Sequence, residues 1–102
     1  MKLLLSLSLL GITAFSAPIP APVVTTANGN GTFGIVAGRL ASKPESPVGI
    51  SVQNGNLISS TVTDAEGRWG VVIRVLSSAL VVNSFDLNRP NERSAEVVHK
   101  IQ

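Results

Sequence analysis

Residues 61–75, TVTDAEGRWGVVIRV, carry two signals back to back. Asp64-Ala65-Glu66-Gly67 reads as a tight turn: Asp suits its first position, and Gly its fourth, where a positive φ meets no Cβ penalty. Past the turn, Trp69, Val71, Ile73 and Val75 alternate with Arg68, Gly70, Val72 and Arg74. A period of two places one row on each face of a strand, and the first row is the one with apolar surface to hide.

The same texture extends in both directions. Upstream, Leu57 to Thr63 is a strand returning from Val48, Ile50 and Val52, with Asn54-Gly55 as the hairpin signal between them. Before that, Thr32 to Leu40 alternates Phe33, Ile35 and Ala37 with Gly34, Val36 and Gly38, and two prolines in residues 41–47 end it because neither can donate to a ladder. Downstream, Ala79 to Leu87 and Ser94 to Ile101 are further strands, separated by the polar stretch Asn88 to Arg93; His99 falls on the Ala95, Val97 and Ile101 face of the last one. No segment after Thr32 carries a 3.6-residue period. With no helix to cover them, faces that alternate in this way bury each other as two stacked sheets. The expectation is an all-β domain over residues 32–102, a small antiparallel β-sandwich of about six to seven strands.

Composition permits this. Of 102 residues, 44% are hydrophobic and 14% charged, which excludes a highly charged disordered chain. The formal charge of +2 is too small and too scattered for a nucleic-acid-binding stripe, so no nucleic-acid partner is expected. The first sixteen residues read as an export signal: Lys2, an apolar run from Leu3 to Ile12, then Ala14-Phe15-Ser16 as a small-x-small cleavage site. The run is shorter than the about 20 apolar residues that span a bilayer, and no transmembrane segment is expected in the mature chain. Losing Lys2 with the signal removes half of the formal charge of +2. The absence of Cys closes both lipid attachment at a new N-terminal Cys and disulfide stapling. Residues 17–31, APIPAPVVTTANGNG, alternate Pro with small residues and read as a flexible leader.

Thr61 to Trp69, with Gly34, Gly38 and the Pro47-Val48-Gly49-Ile50 entry to a strand, resembles the T-D-A-x-G-x-W/F and P-V-x-G-V/A segments of bacterial immunoglobulin-like and carboxypeptidase-regulatory-like domains. The resemblance runs from Thr32 to Ile101 and implies an exported immunoglobulin-like sandwich with a structural, adhesive or binding role. Such modules usually stand in arrays or beside a catalytic domain, whereas the expectation here is a single module.

Other residues invite chemical readings. Gly29-Asn30-Gly31-Thr32-Phe33-Gly34 matches G-x-G-x-x-G, but a dinucleotide site needs a helix after it and a strand follows, so the run reads as a hinge. Asn30-Gly31-Thr32 is formally a glycosylation sequon. His99 has no convergent ligand or nucleophile in view and reads as a core or interface residue. Asp64 and Glu66 could offer oxygens to Ca²⁺, yet no D-x-D-x-D run accompanies them. Asp86, Arg89, Glu92 and Arg93 read as strand-end and loop polarity. Trp69 could stack on a sugar but is placed as a core residue.

No catalytic, cofactor-binding or metal-binding residue is assigned, and the partner-binding residues are left open. The expectation is a non-enzymatic module, secreted, periplasmic or at the cell surface. It contacts a protein or cell-surface partner, or its own copy, through the edge strands Thr32 to Leu40 and Ser94 to Ile101. The alternatives are a small secreted hydrolase using Asp64, Glu66 or Asp86, a carbohydrate-binding module using Trp69, and an inhibitor presenting Asn88 to Arg93.

Overall fold

A computed structural model describes residues 19–101. Its seven strands are β1 (Pro22–Gly29), β2 (Phe33–Leu40), β3 (Gly49–Asn54), β4 (Leu57–Val62), β5 (Arg68–Arg74), β6 (Ala79–Phe85) and β7 (Val97–Lys100). They form two antiparallel sheets, one ordered β1-β2-β5 and the other β4-β3-β6-β7. The chain changes sheet between β2 and β3, between β4 and β5, and between β5 and β6. This is the all-β, two-sheet architecture that the alternation predicts. No helix among the described residues is long and apolar enough to cross a membrane. The export signal expected over residues 1–16, with its cleavage point, lies outside the described residues.

The core between the sheets is Ala27, Val36, Leu40, Ile50, Val52, Trp69, Ile73, Leu80 and Val82. Each large aliphatic or aromatic member contributes about 1.5–3 kcal/mol by leaving water. Trp69 and Ile73 point inward while Arg68, Gly70, Val72 and Arg74 point out, as the period requires. The β3–β4 hairpin closes on Gly55-Asn56, with Asn54 opposite Leu57 and Gly55 at φ 63°, the positive value that a two-residue hairpin demands. At the β4–β5 turn the Gly67 amide donates to the Asp64 carbonyl at 3.0 Å, with Gly67 at φ 84°.

Three expectations need correction. Residues 22–29 are not a flexible leader but β1, paired along its length with β2. Pro22 occupies the first strand position, where its missing N–H costs nothing, and the β-branched run Val23-Val24-Thr25-Thr26 suits a pleated surface. The anchorage begins earlier still, since the Ser84 hydroxyl donates to the Pro20 carbonyl and the Ala41 amide to that of Ala21. The domain therefore begins ahead of Thr32.

Because β1 covers one side of it and β5 the other, β2 is the central strand of its sheet and offers no edge. The last strand is an edge as expected, but only Val97–Lys100 is regular, preceded by an isolated bridge between Phe85 and Arg93.

Last, the inward face of β2 is the small one. Gly34, Val36 and Leu40 are buried, whereas Phe33 and Ile35 are 54% and 56% exposed. Gly38, on this face and directly opposite Trp69, has no room for a side chain: a Cβ there would stand 1.9 Å from the Val23 carbonyl oxygen and 3.0 Å from Trp69 Cζ2. The backbone of β1 and the indole together take the volume that a side chain at residue 38 would need. The other sheet repeats the device, with the Phe85 ring lying over Gly49, its cross-strand neighbour.

Asn54, fully buried, ties the β3–β4 corner to the β5–β6 crossover. Its Nδ2 donates to the carbonyls of Ser77 (2.7 Å) and Ala79 (3.1 Å), and its Oδ1 accepts the amides of Leu76 and Ser77. Such pairing removes the cost of burying an amide.

Candidate contact surface

Each residue with candidate chemistry has a definite place. The Gly29–Gly34 run is the β1–β2 hairpin: Asn30 Oδ1 accepts the amides of Thr32 and Phe33, and Gly31 sits at φ 97°. It is a tight hairpin rather than a hinge, and strand follows strand, so no helix terminus meets a phosphate there. The sequon asparagine, Asn30, is exposed at this tip.

Asp64 is occupied by its own turn. Oδ1 accepts the amides of Glu66 and Arg68, both at 2.9 Å, and Oδ2 accepts Arg68 Nε at 3.0 Å. These bonds, led by the Arg68 amide, hold its carboxyl below the ordinary value of 3.8. Glu66 lies 4.0 Å from Lys43 Nζ, both exposed. Asp86 does the same work as Asp64 in the loop after β6, where its Oδ1 accepts the amides of Asn88 and Arg89. There Arg89 pairs with Glu92, and Arg93 donates to Asn83 Oδ1 at 2.8 Å with its guanidinium 5.0 Å above the Phe85 ring. The loop Asn88 to Arg93 is thereby held against the outer face of its sheet.

Trp69 is 6% exposed and its Nε1 donates to the Arg39 carbonyl at 3.1 Å. The indole face that would carry a sugar is inside the core. His99 is half-buried on β7 opposite Leu80, on the inward row with Val97. No group of three or more His, Cys, Asp or Glu side chains is gathered in metal-holding geometry among the described residues.

What the fold does assemble is a surface that strand periodicity alone did not point to. On the outer face of the β1-β2-β5 sheet, the register sets Ile35 between Asn28 and Val72, and Phe33 beside Arg74. Phe33, Ile35 and Val72, the last 65% exposed, form a contiguous apolar row. A shallow depression of about 390 Å³ is bordered by these three with Asn28 and Asn30. Arginines stand at both ends: Arg74 beside Phe33, and Arg39 with Arg68 two rows beyond Ile35. An apolar row rimmed by polar groups is the pattern of a contact surface, whereas singly scattered hydrophobics are not. The available signal was that β2 carries its bulk on one face and its glycines on the other. No protein-family model matches the chain, and no curated protein matches it significantly.

Proposed function

We propose that the chain is a non-enzymatic, exported, immunoglobulin-like module whose role is contact with a protein or cell-surface partner, in the periplasm, at the cell surface or outside the cell. The observation that carries the reading is the exposed row Phe33, Ile35 and Val72 between arginines on the outer face of the β1-β2-β5 sheet. Burying such a row against a partner returns hydrophobic free energy that solvent otherwise withholds, and guanidinium groups at its ends select a complementary, acidic rim. The three-on-four arrangement of strands and the repeated change of sheet support the immunoglobulin-like reading. The roles of Asp64, Asp86 and Trp69 in turns and core weigh against the hydrolase and sugar-binding alternatives. The test is site-specific photocrosslinking in the living source cell from position 35, with position 53 on the opposite outer face as reference. A position-35 adduct absent at position 53 supports contact through this face.

A further inference from the structure

Each sheet of an open sandwich has two edges, and edges left unprotected recruit strands. Three of the four edges here carry a recognised protection. β1 has Pro22 and a register irregularity between Val24 and Thr26. β5 has Arg68 and Arg74 at its ends. β7 is four residues long and ends on Lys100.

β4 has none: Leu57-Ile58-Ser59-Ser60-Thr61-Val62 holds no charge, no Pro and an unbroken register with β3. Its ladder with β3 uses one edge, and among the described residues no other hydrogen bond involves residues 57–62. With Asn54 and Leu57 closing the two-residue hairpin, antiparallel alternation turns the N–H and C=O of Ile58, Ser60 and Val62 away from β3. The side chains of these three lie on the outer face, and Ile58 and Val62 are 63% and 51% exposed.

That pattern is symmetric about Ser60. We propose that β4 pairs antiparallel with β4 of a second copy of this chain about a two-fold axis at Ser60, joining two four-stranded sheets into one of eight. In this register Ser60 faces Ser60 of the second copy, and each exposed Ile58 faces a Val62, so both apolar side chains gain a cross-strand partner. No like charges meet, since the strand has no charge. The two-fold makes the interface self-complementary and closed, which ends assembly at two chains. The inference refines the contact reading by naming one partner, but uses a different surface from the Phe33 row.

The experiment is sedimentation equilibrium on the purified protein, joined to a spin-label distance. The chain contains no Cys, so Val98→Cys supplies a single label site on exposed β7. Three strand spacings on each side of the axis put the two labels roughly 30–35 Å apart if β4 pairs with β4, whereas pairing through β7 brings them within about 10 Å. Ser60→Lys, which sets two ammonium groups face to face on an exposed position, should return the mass to one chain with an unchanged circular dichroism spectrum, while Val98→Lys should leave the dimer intact. A single-chain mass at millimolar concentration, a short label distance, or a dimer indifferent to Ser60→Lys overturns the pairing. A monomer that still gives the position-35 crosslink sinks only this inference; a dimer without that crosslink sinks only the partner face.

Discussion

Asp64 and Asn54 show how single polar side chains decide what the backbone does. Asp64 accepts two amides and a guanidinium N–H within five residues of chain, and its carboxyl is held below the ordinary value by those bonds. A carboxyl so depressed stabilises the folded state above its unfolded pKa, and that contribution disappears as the pH falls through the lower folded value. An NMR titration should therefore place the Asp64 midpoint below 3.8, with the Glu66 and Arg68 amide shifts following it; a midpoint at or above that value contradicts the turn as described. Asn54 works in the interior. Asn54→Ala leaves the Leu76 and Ser77 amides and the Ser77 and Ala79 carbonyls without their partner. Leaving buried groups unsatisfied should cost about 3 kcal/mol, or roughly 15 °C in thermal midpoint for a domain of this size. Asn56→Ala, exposed in the same hairpin, should cost about 0.5 kcal/mol or less. Denaturant melts of the two variants check the contrast, and equal effects would contradict it.

At the scale of elements, β3 and β5 were legible because apolar residues recur every second position, β4 as the return of the Asn54-Gly55 hairpin, and β6 as an apolar run between turn residues. β1 was hidden: the Pro and Gly density around Val23-Val24-Thr25-Thr26 imitates a solvated linker, and only pairing with β2 reveals the strand. The inward face of β2 was equally hidden, since larger side chains favour Phe33 and Ile35 as core while the face that packs inward carries Gly38, crowded by the Val23 carbonyl and Trp69. The Asn54 bonds span 22 to 25 residues, a separation at which no local pattern carries information. The strand reading of residues 22–29 has a direct consequence. Removing residues 17–31, harmless for a leader, should strip β2 of one of its two partners, take Ala27 out of the core, and abolish the cooperative thermal transition seen by circular dichroism. An unchanged transition would return the segment to the role of linker.

At the scale of the molecule, a small core without disulfides folds because both sheets hide one face each, and the surfaces left over are where partners have something to gain. Two such surfaces stand out, the Phe33–Ile35–Val72 row and the β4 edge, and they lie on different sheets. The proposed role, contact outside the cytoplasm, draws on the exposed apolar row on one outer face of the sandwich. Photocrosslinking from position 35 in the source cell tests this most directly. The account predicts a discrete adduct that is lost when Val72→Lys is introduced in the same chain and is absent when the reactive group sits at position 53. Equal labelling from positions 35 and 53, or an adduct indifferent to Val72→Lys, would contradict it.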